Sequence, residues 1–106
     1  MAQTEEKPGT ERRKWRFVIC HAVWTPRAEK ALDQDEVWQT IVERHLYGDW
    51  GDVSDELRLR NERALDFTWA WLYGRYTTAD GTRFRITTEL HRFRAHISLD
   101  DEDDPV

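Results

Sequence analysis

From Trp15 to Trp24 the chain reads WRFVICHAVW, β-branched and aromatic with imperfect alternation, which predicts a strand partly covered on both faces. Thr25-Pro26 has the chemistry of a helix start, because a threonine hydroxyl accepts from free first-turn N–H groups and proline fits the first helical position. A short helix is expected from Pro26 to about Leu32. Asp35 is expected to cap a second helix, with Glu36 in its first turn where the helix dipole favours acid. Along it Val37, Trp38, Ile41, Val42, His45 and Leu46 recur at helical spacing and predict a stripe facing the core. Gly48-Asp49-Trp50-Gly51-Asp52 interrupts that pattern with loop chemistry. Ser54 is expected to cap a third helix running to about Leu65. Leu57, Asn61, Ala64 and Leu65 share one of its faces, and a buried Asn61 needs partners for its amide.

At Phe67 the period changes to two. Phe67, Trp69, Trp71 and Tyr73 alternate with Thr68, Ala70, Leu72 and Gly74, and Ala79-Asp80-Gly81 signals a hairpin. Thr82–Glu89 and Arg92–Leu99 are the next strands, joined by Leu90-His91. The order β, α, α, α, β, β, β predicts an α+β fold: an N-terminal strand, three short helices, then a three-stranded antiparallel meander with helices on one sheet face. Phe84, Ile86, Phe93, Ala95, Ile97 and Leu99 are expected to point toward those helices. Arg83, Arg85, Thr87, Arg92, Arg94, His96 and Ser98 are expected on the opposite face, open or against a partner.

The 106 residues suit one domain over 15–99, with a flexible polar leader over 1–14 and an acidic tail over 100–106. Cys20 is the only cysteine, which excludes an internal disulfide and a zinc site on paired cysteines. No apolar run approaches the roughly 20 residues that span a bilayer, and the N-terminal segment lacks an apolar signal core. A cytoplasmic location without a membrane partner is expected. The net charge of −5 is uneven: residues 27–66 carry eleven acids against six bases, residues 67–99 five bases against two acids, and Asp100 to Asp104 are all acidic. An acidic chain argues against simple coating of DNA, while a local basic face stays open. Six tryptophans are a heavy load for this length and suit both a small core and an interface.

The segment HLYGDWGDV, residues 45–53, carries a resemblance. With Thr25-Pro26, His45, Gly48 to Asp52, Asn61, Asp80-Gly81, Thr88-Glu89 and Arg92, it resembles a family of small bacterial "plasmid-related" proteins of mobile elements. The resemblance covers about residues 18–99. His91 stands where that family usually has Asp, and the run of acids replaces its usual C-terminal segment. The resemblance implies an accessory or anti-defence role and no assigned activity.

Two groups of residues carry candidate chemistry. In the first, His45, Asp49, Asp52, Asn61, Glu89 and Arg92 would converge, His45 as general acid/base, Asp49 orienting it and Arg92 clamping phosphate in a small nuclease or toxin-like enzyme. The structural alternative makes His45, Gly48, Asp49, Trp50, Gly51, Asp52 and Asn61 a loop network in which the acids cap turns and Trp50 plugs the core. A divalent ion on His45, Asp49, Asp52 and His91 matches no recognised ligand spacing, so neither a metal nor a cofactor is assigned. The second group is the basic face of Arg83, Arg85, Arg92, Arg94 and His96, suited to carboxylates and phosphates. A plain solvated face, a protein or nucleoprotein partner, nucleic acid, a homodimer, and a tail folded back on this face are the alternatives. Cys20 sits within an apolar strand, where a thiol is usually inert. The function expected is a non-enzymatic binding or inhibitor protein acting on a protein or nucleoprotein target. The alternatives are the His45 nuclease and a regulatory nucleic-acid binder using the basic face.

Overall fold

A computed structural model describes residues 14–67 and 69–102. All of the expected leader but Lys14, the tail beyond Glu102, and Thr68 lie outside the described residues. The elements are β1 (His21–Trp24), α1 (Pro26–Ala31), α2 (Gln34–Glu43), α3 (Asp55–Ala64), β2 (Trp71–Thr77), β3 (Arg83–Glu89) and β4 (Arg94–Leu99). The α+β order is as expected. The sheet is not a three-stranded meander: among the described residues it has four strands in the order β1-β4-β3-β2, with β1 parallel to β4 and the other pairs antiparallel. The long helical excursion between β1 and β2 permits that parallel pairing, which no tight turn could make.

The capping chemistry works as its residue types dictate. The Thr25 hydroxyl accepts from the Ala28 N–H at 3.1 Å, and the Ser54 hydroxyl accepts from that of Leu57 at 3.1 Å. The cap of α2 is Asp33 rather than Asp35: its carboxylate accepts from the N–H groups of Asp35 and Glu36 at 2.8 and 3.2 Å. Asp35 therefore sits in the first turn beside Glu36. Ala28, Leu32, Val37, Ile41 and Leu46 pack onto Tyr76, Phe84, Ile86, Ala95 and Ile97 to form the core on one sheet face. Trp38 and Val42, expected in that stripe, lie at its exposed margin.

Three strand ends differ from the sequence pattern. Residues 15–20 run as irregular chain, with Phe17 and Ile19 still packed on the core. The expected strand from Phe67 begins only at Trp71, after a turn closed by the Ala70 N–H on the Phe67 carbonyl at 3.1 Å. Arg92 lies in a 3-10 turn over Leu90–Arg92, and Phe93 follows it with φ of 53°, in the left-handed region. That backbone reversal breaks the alternation, so Phe93 leaves the core face and is exposed.

Candidate functional site

The glycine loop and α3 meet at the outer edge of β2, which no further strand covers among the described residues. Asn61, buried on α3, donates to the Tyr73 carbonyl at 2.7 Å and accepts from the Tyr73 N–H at 3.0 Å. Its amide thus takes both hydrogen bonds that a neighbouring strand would make. Two residues on, the Arg75 N–H donates to the Trp50 carbonyl at 3.0 Å, and the Asp52 N–H donates to the Arg75 carbonyl at 2.7 Å. Gly51 bridges Arg75 there with φ of 75°, and a Cβ on it would stand 2.0 Å from the Arg75 carbonyl oxygen, so only glycine permits this approach. Loop and Asn61 together pair an edge that would otherwise invite another chain.

His45 anchors the loop from inside. It is fully buried; its Nδ1 lies 2.7 Å from the Tyr76 hydroxyl and its Nε2 lies 2.9 Å from the Thr88 hydroxyl. The Tyr76 hydroxyl donates to the Asp49 carbonyl at 2.8 Å, so its single proton is committed. One assignment satisfies every group: His45 Nδ1–H donates to Tyr76, and Thr88 donates to Nε2. The imidazole is neutral, burial pushing its pKa down to about 3. Burial also pushes the Tyr76 phenol well above its ordinary value. Phe17 and Trp50 meet the His45 ring edge to face, at centroid distances of 5.3 and 5.5 Å. The buried Trp50 indole N–H reaches Glu62 at 3.0 Å, and Glu62 also takes a two-pronged bond from Arg16 at 2.7 and 2.9 Å. Gly48 closes the 3-10 turn His45–Tyr47 by donating to the His45 carbonyl at 3.0 Å.

The expected convergence on His45 does not form. Thr88 and Glu89 are successive residues of β3 and point to opposite faces; His45 bonds Thr88, so Glu89 lies across the sheet from it. The Asp49 carboxylate pairs with Arg44 at 2.9 Å, and that hydrogen bond holds it below its usual range. Asp52 is exposed and pairs with Arg83 at 3.0 Å. Arg92 lies 3.7 Å from Glu89 and donates to His91 at 3.2 Å. His45 has neither solvent access nor a free nitrogen for acid–base work.

The structure divides the five basic residues into two groups. Arg94 and His96 join Arg92 around the nearly buried Glu89 carboxylate, at 3.6 and 2.7 Å. The hydrogen bond from His96, then Arg94 and Arg92, holds Glu89 below its usual range. Arg83 and Arg85 instead meet the start of the tail. Asp100 lies 2.7 Å from Arg75 and 3.5 Å from Arg83, while Arg85 donates to the Glu102 carbonyl. The Glu102 carboxylate accepts from Thr25 at 2.8 Å and from the Leu99 N–H at 2.7 Å, and Asp101 pairs with Arg27 at 3.1 Å. Asp100 to Glu102 therefore fold back over one end of the basic face.

Sequence reading missed Arg60, Trp71, Tyr73 and Arg75 as neighbours of that face. Register pairs Trp71 with Glu89, Tyr73 with Thr87 and Arg75 with Arg85, which puts two aromatic rings among the arginines. The alternation of β2 held that signal, but only the pairing partner tells which side its odd positions take. At the far end, Trp69 packs on His91 at 4.5 Å, and Trp71 on His96 at 5.5 Å. The turn at Phe67 abuts the one at Leu90 through the Leu90 N–H and the Ala70 carbonyl, 3.3 Å apart.

No family model, curated protein or solved structure matches the chain. Among the described residues no group of three or more His, Cys, Asp or Glu gathers as a metal site, and no helix is long and apolar enough to cross a membrane.

Proposed function

We propose that this chain is a non-enzymatic binding protein that engages a protein partner at the sheet end formed by Phe67, Trp69, His91, Arg92 and Phe93. The observation that carries this reading is exposure: Trp69 is 76%, Phe67 64% and Phe93 50% accessible, beside Arg92 with a side chain 57% accessible. Burying a large ring is worth roughly 1.5–3 kcal/mol, and tryptophan with arginine is the pairing that dominates interface energetics. Arg92, Arg94 and His96 surround a single carboxylate, Glu89, so the complementary surface is an apolar pocket rimmed by acids. The carboxylates already on Arg83, Arg92 and Arg94 weaken the case for phosphate as the main target of this face. Steric blocking of that partner in the cytoplasm, as an accessory or anti-defence factor of a mobile element, rests on the sequence resemblance and belongs to the same proposal.

The test is affinity capture with the wild-type chain, Trp69→Ala and Arg92→Glu, then reconstitution with the captured protein in pure form. Trp69 is exposed, so its variant is expected to keep the wild-type circular dichroism and Tm; Arg92→Glu sets an acid beside Glu89, and the same measurements show that it is folded. The expected result is one protein whose affinity falls by about 2 kcal/mol or more, roughly thirtyfold, in each variant. A partner held equally by both variants would overturn the reading. Capture of nucleic acid alone would replace the partner class, and capture of a second copy of this chain would make the surface a dimer interface.

A further inference from the structure

A cleft of about 230 Å³ opens between α3 and the basic sheet face, lined by Val53, Leu57, Arg60, Tyr73, Arg75 and Arg85 among others. A second hollow of about 260 Å³ continues along β2, sharing Arg60 and Tyr73 and adding Ala64, Ala70 and Trp71. Neither includes Trp69, Arg92 or Phe93, so this groove is distinct from the protein-binding end.

Two of the three groove arginines, Arg60 and Arg85, have no carboxylate partner among the described residues, a condition they share with Arg58 and Arg63 outside the groove. Arg16, Arg27, Arg44, Arg83, Arg92 and Arg94 each have a carboxylate within 4 Å. Arg60 has no hydrogen-bond or ion-pair partner among the described residues, and Arg85 gives Nη2 to a backbone carbonyl while its buried Nε has no acceptor. A buried donor without an acceptor is costly, and a bound anion would relieve it. Of the three, Arg75 alone has a carboxylate partner among the described residues, Asp100. Three guanidiniums less that carboxylate leave two positive charges, matching the charge of about −1.5 to −2 on a phosphate monoester at pH 7. Next to this cationic end, Tyr73 and the half-buried Trp71 wall the second hollow with rings, which suits a planar apolar group.

We propose that this groove binds a phosphate ester bearing a planar ring, of the nucleoside monophosphate class, with the phosphate at Arg60, Arg75 and Arg85 and the ring beside Tyr73 and Trp71. The ligand is either a free nucleotide or the phosphorylated end of a nucleic-acid strand, which share this chemistry. Phosphate supplies the acceptors the arginines lack, and the ring fills the second hollow.

The full chain is titrated with AMP, GMP, adenosine, inorganic phosphate, and a short oligonucleotide with and without a 5′-phosphate, followed by calorimetry and by amide shifts in two-dimensional NMR. Shifts are expected at Tyr73, Gly74 and Arg85, with AMP or GMP binding at least about tenfold tighter than adenosine or phosphate alone. Arg60→Glu is expected to weaken binding about tenfold or more, while Arg63→Glu, which makes the same charge change on α3 outside the groove, leaves it intact. Binding of the 5′-phosphorylated oligonucleotide without free nucleotides assigns the ligand to a strand end; binding of AMP or GMP assigns it to a free nucleotide. Absence of binding by every probe, phosphate binding as tightly as AMP, or equal loss in the two charge variants overturns the proposal.

Discussion

Replacing Asn61 by alanine removes both hydrogen bonds that cover the outer edge of β2 at Tyr73. Each buried backbone group left unpaired costs about 1–3 kcal/mol, so the pair costs roughly 2–6. The hollow of about 260 Å³ beside Asn61 admits water to the vacated position, which pulls the figure to about 2–3 kcal/mol. Set against a total of about 5–15 kcal/mol for a domain of this size, that is a large share. It corresponds to a fall in Tm of roughly 10–20 °C. Urea unfolding with an unchanged m-value measures it, and the Tyr73 amide is expected to lose its protection from hydrogen exchange. Asn61→Asp keeps the acceptor for the Tyr73 N–H but sets a carboxylate oxygen against the Tyr73 carbonyl, so it should recover little stability at neutral pH. A loss below about 0.5 kcal/mol in Asn61→Ala, within the range of an ordinary surface change, would refute the edge-pairing account.

Other predictions follow from the same geometry. Gly51→Ala should destabilise by about 3 kcal/mol or more, because backbone strain of about 1–2 kcal/mol adds to the clash with the Arg75 carbonyl. Gly81→Ala, at φ of 94° in open space, should cost only the strain of about 1–2 kcal/mol; equal costs in the two variants would refute the close-approach argument. His45 stays neutral when folded, with a pKa near 3 against its ordinary 6.5, so the unfolded chain takes up a proton that the folded state refuses. Stability should therefore fall as pH drops below 6.5, by up to about 1.4 kcal/mol per pH unit, and a chemical-denaturation series without such a slope would contradict the buried neutral ring. Glu62 and Glu89, held low by Arg16 and His96, add their own losses only below their ordinary value of 4.5. Truncation after Leu99 uncovers Arg75, Arg83 and Arg85 and should raise the salt needed to elute the protein from heparin, with a fall in Tm from the part-buried bonds that Glu102 makes to Thr25, Leu99 and Arg85. Unchanged elution would show that Asp100 to Glu102 do not shield this face.

Local chemistry by itself determined much of this protein. The caps Thr25 and Ser54, the loop from Gly48 to Asp52, the hairpin at Asp80-Gly81 and the order of elements each depend on residues within a few positions of one another. Such interactions read directly from sequence. The demand of Asn61 for partners was also visible, since an amide on an apolar helix face must be satisfied, but its partner Tyr73 lies twelve residues away on another element. The tertiary structure alone decided three things: that β1 joins the sheet in parallel beside β4, that Trp71 and Tyr73 share a face with the arginines, and that Thr88 and Glu89 place His45 and Arg92 on opposite sides of the sheet. The physical reason is common to all three. A strand's alternation says which residues lie together, but its pairing partner and register, set by long-range packing, choose which side of the sheet they occupy.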